Sequence, residues 1–304
     1  MAKAPKLLNP YRPRGNWYKA AFHFHTTNSD GRISPSQAVM RYVRSGYRII
    51  GLSDHGFVTR FPPDLYPGTL FVPNFETAWP HLLHIGARGT GGMPELDFRS
   101  SLARIRREGA FSVLCHPAWS DCSWRQMVDA RGADAVEVYN HLCEIENATG
   151  YSVERWDMML QAGIRIWGFA TDDTHFRPEH PSHNGGWVMV RAPRLDLKLV
   201  MAALKAGSFY SSQGPSLHDL SLKGGRITVT CSPVVELRAR ADGVGSGLVY
   251  FSRTWSSPVP RTRWSFSLAD WARGAAGLPA RYLRIELKDA RGRIAWLNPL
   301  FVRR

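Results

Sequence analysis

Long hydrophobic runs are missing from this 304-residue chain. No stretch of apolar residues approaches the length of a membrane span, which argues against a helical membrane protein. Cysteine is scarce: Cys115, Cys122, Cys143 and Cys231 are the full set, and no two form a Cys-x-x-Cys pair. That spacing supports neither a disulfide framework nor a zinc knuckle, so a reducing cytoplasm is the expected location. Lysine is also scarce, supplying 7 of the 39 basic residues behind a formal net charge of +14. Residues 216–304 hold 15 Lys+Arg against 6 Asp+Glu, so the charge is uneven. An arginine bias spread along the chain reads as genome composition rather than a nucleic-acid patch, and no nucleic-acid motif accompanies it. Nucleic acid therefore stays a disfavoured partner. The segment Met1 to Arg14 is basic and proline-rich and has no apolar core, so it does not read as a signal peptide. There is no internal repeat and no low-complexity tract.

A hydrophobic content of 44% supplies a sizeable core. Along the chain, short apolar runs alternate with amphipathic segments. Trp17 to Phe22 reads as a strand. Ser34-Pro35-Ser36-Gln37 has the form of a capping box with proline at the first helical position. A helix follows, with Ala38, Val39, Tyr42 and Val43 on one face, and Gly46 ends it. Arg48 to Leu52, Leu70 to Phe75, Leu82-Leu83, Ala110 to Leu114, Ala135 to Asn140, Ile164 to Phe169 and Gly186 to Val190 read as further strands. Helices are expected over Asp97 to Glu108, near Trp124, over Ser152 to Ala162 and over Leu195 to Ala206. Such alternation implies a mainly parallel sheet, and a closed β/α barrel fits this many units. After Pro215 the pattern changes to alternation with period two in Gly225 to Thr230 and Arg281 to Leu287, with a short helical piece near Leu268 to Arg273. The expected organisation is a basic extension over 1–14, a barrel over 15–215 and a small antiparallel β module over 216–304.

The strands end in polar residues of a restricted kind. His23 and His25 are two apart, so on an extended strand they point to one side and can hold one ion. Asp30 follows on a short turn. Later strand ends supply His55, Glu76, His84, His116, Asp173 and His175. Each alone is more often a satisfied polar residue than a ligand. Together they take up six of the eleven histidines, and a polynuclear metal site is the better reading. All nine offer nitrogen or oxygen, which suits Zn²⁺, Mn²⁺ or Fe²⁺.

These residues carry a resemblance. His23-x-His25 with Thr26 to Gly31, Ser53-Asp54-His55, Glu76, His84-Ile85-Gly86, His116-Pro117 and Asp173-Thr174-His175 are similar to the motifs of the PHP (polymerase and histidinol phosphatase) superfamily of metal-dependent hydrolases. The match spans about residues 17 to 190. The resemblance implies a distorted (β/α)7 barrel with two or three divalent ions. One ion would take His23, His25, Glu76 and Asp173. A second would share Glu76 and add His84 and His116. A third would take Asp30, His55 and His175. Some relatives carry a histidine directly after Asp30; Gly31 stands there in this chain, so the third ion rests on Asp30. Gly15 to Lys19 and Ala295 to Pro299 are more loosely similar to a subgroup named after carbaryl hydrolase, which cleaves a carbamate ester.

Around this set, Asp54 is expected to orient His55 or a water; Glu137 and Asn140 either orient ligands or are structural polar residues. Asp172 is a weaker ligand candidate than Asp173. His81 and His183 read as solvated, with contact to substrate the alternative for either. Arg60, Arg88 and Arg177 lie just beyond strand ends and are candidate anion clamps. Cys115 is expected on the opposite strand face from His116, in the core.

The chemistry implied is hydrolysis. Two ions bridged by Glu76 would sit about 3.5–4 Å apart and bring a shared water to a pKa near 7, so that hydroxide attacks the ester. Asp173 would orient it, and the third ion, or His175 or His55 in its absence, would stabilise the leaving oxygen. The ions outweigh the negative ligands in charge, which favours a small anionic ester and a phosphoesterase. A carbamate or carboxylic ester hydrolase on the same site is the alternative. A PHP-like binding protein without catalysis is a second one.

Overall fold

The computed structural model describes residues 6–88, 97–241, 247–251, 253–254, 257–268 and 280–303. The chain divides into two compact units: Gly15–Ala206, and Gly207–Arg304 together with Met1–Arg14.

The Gly15–Ala206 unit begins with β1 (Asn16–Ala21), α1 (Pro35–Arg44), β2 (Ile49–Ile50), β3 (Leu70–Phe71) and β4 (Leu82–Ile85). It continues with α2 (Phe98–Glu108), β5 (Phe111–Leu114), α3 (Trp124–Asp129), β6 (Ala135–Asn140) and α4 (His141–Asn147). α5 (Val153–Gln161), β7 (Trp167–Thr171), β8 (Trp187–Ala192) and α6 (Leu197–Lys205) complete it.

Local sequence explains α1. Ser34 caps it by accepting from the Gln37 N–H, the Gln37 side chain accepts from the Ser34 N–H, and Pro35 opens the first turn. Such a cap contributes about 1 kcal/mol. Ala38, Val39 and Tyr42 form the buried face and pack with Phe24, Tyr47, Ile50 and Leu52. α1 thereby covers the sheet beneath the His23-x-His25 strand end.

The strands of this unit form two sheets. One runs β8–β1–β2–β3, with β1, β2 and β3 parallel and β8 antiparallel to β1. The other runs β4–β5–β6–β7, with β5, β6 and β7 parallel and β4 antiparallel to β5. The expected mainly parallel sheet is thus a mixed one. The reversal at β4 has a physical cause. No helix separates β3 from β4, and parallel neighbours require a crossover of a dozen or more residues. The chain instead doubles back through residues 77–81, and Glu76 pairs antiparallel with Leu83. Single bridges at Glu76–Leu83 and Phe24–Thr174 join the two sheets at their ligand-bearing ends.

The other unit contains β9 (Phe209–Ser212), β10 (Leu217–Lys223), β11 (Arg226–Val234), β12 (Glu236–Ala241) and β13 (Gly247–Phe251). It also holds β14 (Arg253–Thr254), β15 (Ser257–Pro258), β16 (Arg261–Ser267), β17 (Tyr282–Lys288) and β18 (Ile294–Phe301). β13–β12–β17–β18–β9 and β10–β11–β16 are antiparallel sheets, and β14–β15 is a short ribbon. Gly224 and Gly225 join β10 to β11 with φ of 57° and 72°, the conformation that a two-residue hairpin of the right twist demands.

The unit boundary falls at Gly207, ahead of the sequence boundary at Pro215, because β9 pairs with β18. The N-terminal segment belongs here too. Tyr11 Oη donates to Phe209 C=O at 3.2 Å, and Asn9 Nδ2 donates to Leu220 C=O at 2.9 Å. The helical piece expected near Leu268 to Arg273 lies outside the described residues beyond Leu268. All four cysteines are free and buried. Among the described residues no helix is long and apolar enough to cross a membrane.

Candidate metal centre

β1 and its continuation present His23 and His25 on one side, as alternation requires. The chain beyond β7 presents Asp173 and His175, pinned to the first strand by Asp173 N–H to His23 C=O at 2.9 Å and His25 N–H to Thr174 C=O at 2.9 Å. Glu76 enters from the bend before β4. These residues are buried except Asp30, which is exposed, and His55, which is partly so.

Glu76 is the hub. Its Oε2 lies 3.2 Å from His23 Nε2 and 3.2 Å from His25 Nε2. Its Oε1 lies 3.4 Å from His116 Nε2 and 3.0 Å from His81 Nδ1. Oε2 is also 3.4 Å from His55 Nδ1, so one carboxylate oxygen faces His23, His25 and His55 and the other faces His81 and His116. Asp173 Oδ1 adds a second oxygen at 3.1 Å from His23 Nε2 and 3.2 Å from His25 Nε2. Yet His23 Nε2, His25 Nε2 and Asp173 Oδ1 are buried and form no hydrogen bond. Buried polar atoms are ordinarily satisfied. Nitrogen and carboxylate atoms that crowd together unbonded are what a shared cation would satisfy, so the donor set fits divalent metal.

A further cluster lies beside the first. Asp30 Oδ2 is 3.0 Å from His175 Nε2, and Asp30 Oδ1 is 3.7 Å from His55 Nε2 and 3.6 Å from His25 Nδ1. The His25 ring stacks on His55 at 4.4 Å and on His175 at 4.3 Å. Ligand atoms of His25, Asp30, His55 and His175 could hold one ion between them. Gly31 permits this turn. A Cβ there would sit 2.3 Å from the His25 carbonyl oxygen, so no side chain fits after Asp30.

The ligands are aimed by polar partners. Glu137 Oε1 accepts from His23 Nδ1 at 2.7 Å and from Thr171 Oγ1 at 2.7 Å. Its Oε2 accepts from the His116 N–H at 2.7 Å and from Asn140 Nδ2 at 3.0 Å. Asn140 Nδ2 also donates to Asp173 Oδ2 at 3.0 Å, leaving Oδ1 for the centre. His116 Nδ1 is paired with Ser120 Oγ at 3.1 Å, and His175 Nδ1 donates to the Asp173 carbonyl at 3.0 Å. In each case the anchored nitrogen leaves Nε2 free for the site. His116 and Asp173 hold φ of 24° and 50°, left-handed values that non-glycine residues adopt only where the surroundings enforce them.

Electrostatics follow from this crowding. Burial works against protonated histidine, but Asp173, Glu76 and Glu137 overcome it and raise the pKa of His23. For His25, burial is likewise outweighed by Asp173 and Glu76, and its pKa rises to about 9. The same histidines hold Glu76 and Asp173 well below the usual carboxylate range against their burial. A divalent ion would displace histidine protons here, so metal and protons compete.

The structure corrects several expectations. His84 does not join the cluster: among the described residues, no group of neighbouring ligand atoms includes it; nor does any include His81, although that residue meets Glu76 Oε1 at 3.0 Å. Glu76 pairs with Leu83, so His84 shares a face with Phe75 and stacks on it at 4.3 Å, while His81 shares the face of Glu76. A one-residue change of parity reverses the side chain's direction. His81, expected in solvent, faces Glu76 instead. Cys115 is buried in the core as expected, but not on a face away from His116: its sulfur is grouped with ligand atoms of His23, Glu76 and His116. The left-handed turn at His116 breaks the strand alternation that expectation assumed. Burial first, then Glu76, Glu137 and Asp173, push the Cys115 thiol pKa up.

Asp54 does not orient His55. It accepts from the Thr26 N–H at 2.7 Å, from Ser29 Oγ at 2.9 Å and from Thr59 Oγ1, ordering the turn between His25 and Asp30. Asp172 is held by Tyr42 Oη and by the N–H groups of Asn184, Gly185 and Gly186. His183 is half-buried, with its Nε2 3.1 Å from Ser45 Oγ. Arg60 and Arg88 line a separate pocket with Leu52, Phe61 and Phe71, and Arg177 faces Glu146 at 3.9 Å. The signals for His81 and Cys115 were present, as donors beside expected ligands. Their direction depended on hairpin register and on one φ angle.

No family model matches the chain, and no curated protein matches it. Among solved structures it is similar to a two-domain protein from Bacteroides vulgatus described as containing a predicted PHP-like metal-dependent phosphoesterase. The two are 15% identical over 98% of this chain and 100% of that one, with a TM-score of 0.54. An amidohydrolase from Chromobacterium violaceum matches 54% of this chain and 90% of its own at 12% identity and a TM-score of 0.39. The fold of this chain is PHP-like, with a mixed α/β unit followed by a β-rich one.

Proposed function

We propose that the chain is a metal-dependent hydrolase of phosphoesters, built on a distorted (β/α)7 barrel that positions two or three divalent ions. One observation carries the reading: the two oxygens of buried Glu76 face different histidines, Oε2 toward His23, His25 and His55 and Oε1 toward His81 and His116, as a carboxylate shared between two ions would. His23, His25, Glu76 and Asp173 would hold one ion. Glu76, His81 and His116 would hold a second, with the Cys115 sulfur beside them. Asp30, His55 and His175 would hold a third, the one most open to solvent.

Bound there, divalent ions supply Lewis-acid activation of water and neutralise charge on an anionic ester. The protein's own groups do the rest. Glu137 keeps His23 in the tautomer that presents Nε2. Asn140 fixes Asp173 so that Oδ1 faces the centre, where it can accept a proton from the attacking water. His175 and His55 lie on the exposed side, where they would hold the third ion or, where that ion is not held, stabilise a leaving oxygen. The preference for phosphoesters rests on the net positive charge such a centre would have, on the motif resemblance and on the description of the Bacteroides structure. A cytoplasmic location and a small anionic ester as partner remain part of the same proposal.

Metal-loaded protein should release phosphate from 4-nitrophenyl phosphate, with loss of activity in His25→Ala and Asp173→Asn. Cleavage of 4-nitrophenyl carbamates and carboxylic esters with no phosphate release would replace this reading by the carbamate or carboxylic ester one. Less than one bound metal per chain would point to a binding protein.

A further inference from the structure

Two tryptophans stand at the rim of the histidine cluster and are left nearly half exposed, Trp79 at 45% and Trp119 at 44%. Indole carries a large apolar area, and most such rings are buried for that reason. These two border one ligand. The His81 ring lies 6.1 Å from Trp79 and 6.0 Å from Trp119, close to perpendicular to each. Trp119 is also edge-on to His116 at 5.0 Å. His81 and His116 are the pair that faces Glu76 Oε1. The indoles therefore flank one side of the centre, the side where an ester group meeting Glu76 Oε1 would sit.

Their backbones are fixed. Trp79 lies in the bend between Glu76 and β4, closed by the Thr77 N–H to Leu82 C=O at 3.0 Å, and its ring packs 6.1 Å from Phe98. Trp119 lies in a turn closed by Ser120 N–H to His116 C=O at 3.0 Å, and Ala118 N–H donates to Ser152 Oγ at 3.1 Å. Rings held by anchored turns lose little freedom when a ligand covers them, so they are prepared for binding rather than for solvent.

We propose that Trp79 and Trp119 form an aromatic subsite that takes the planar ring of an aryl ester, holding its ester group against the His81 and His116 side of the centre. The proposal rests on the ester-hydrolase reading above and adds the nature of the group on the ester oxygen. Ring recognition is the same for an aryl phosphate, carbamate or carboxylate, since all three share the aryl alcohol. Aromatic faces and edges of opposite partial charge give such contacts a preference over alkyl groups of similar size.

The test uses that common fragment. Metal-loaded full-length protein is titrated calorimetrically with 4-nitrophenol. Saturable binding is expected, weakened about three- to tenfold by Trp79→Ala and by Trp119→Ala and largely kept by Trp119→Phe. Trp124→Ala serves as control: its indole is 42% exposed at the start of α3. In parallel, the kcat/KM ratio of phenyl phosphate to methyl phosphate should fall in both alanine variants. No saturable 4-nitrophenol binding, or equal binding to the double alanine variant, overturns the subsite. If tryptophan-dependent binding persists while no phosphate is ever released, the subsite stands and the phosphoester reading falls.

Discussion

Glu137 Oε1 accepts from His23 Nδ1 at 2.7 Å, while its other oxygen accepts from the His116 backbone N–H at 2.7 Å. One buried carboxylate thus aims a side chain and a turn that approach the same centre from different strands. β6 supplies it from a fully buried run, Ala135–Asn140.

Glu137→Ala should therefore weaken metal binding without removing any candidate ligand. Loss of such an orienting partner typically costs about 10–100-fold in affinity. Competition with a fluorescent chelator reads this directly. Glu137→Gln should recover part of the affinity, since its amide oxygen can still accept from Nδ1.

His81 and His84 should separate cleanly in metal content. His81→Ala is expected to lower the bound metal measured by atomic emission, because His81 faces Glu76 Oε1 at 3.0 Å. His84→Phe should leave the metal content unchanged, because the His84 ring stacks on Phe75. The reverse pattern would contradict the Glu76–Leu83 register.

His84 should also shape stability in acid. Burial, with the Arg104 guanidinium adding to it, lowers its pKa from 6.5 to about 3. Below pH 6.5 the unfolded chain takes up a proton that the folded chain refuses. Stability from the neutral, buried ring is thus present above pH 6.5 and lost as pH falls toward 3, with a slope of at most about 1.4 kcal/mol per pH unit. Urea unfolding between pH 7 and pH 4, with a chelator present throughout, should show a steeper acid loss for the wild-type protein than for His84→Phe. Neither ring nitrogen of His84 has a hydrogen-bond partner, so the substitution should cost little at neutral pH.

Gly31→Ala should damage the exposed cluster first. The added Cβ would meet the His25 carbonyl carbon at 2.5 Å and oxygen at 2.3 Å, so the turn carrying Asp30 must move. Metal stoichiometry should fall by the ion assigned to Asp30, His55 and His175, while tight binding at the His23, His25, Glu76 and Asp173 set persists. Loss of all metal at once would show that the clusters do not bind independently.

Much of this protein was readable from short stretches of sequence, because the determinants are local. Alternation alone puts His23 and His25 on one side of a strand, and Ser34 with Gln37 caps α1 by bonds that span three residues. The ends of the apolar runs place Asp30, His55, Glu76, His116, Asp173 and His175 where several strands could bring them together. Tertiary structure decided the remainder. Whether His81 or His84 meets Glu76 depends on the register of a hairpin whose turn, residues 77–81, carries no glycine to announce it. The position of Cys115 depends on a left-handed φ at His116, enforced in part by the bond from its N–H to Glu137, 21 positions away. The partners of Asp54 and the pairing of β9 with β18 are likewise contacts between distant segments. Residue type and spacing determine which donors the chain owns and which local elements carry them. Register and backbone handedness, set by contacts far apart in sequence, determine which donors share a face.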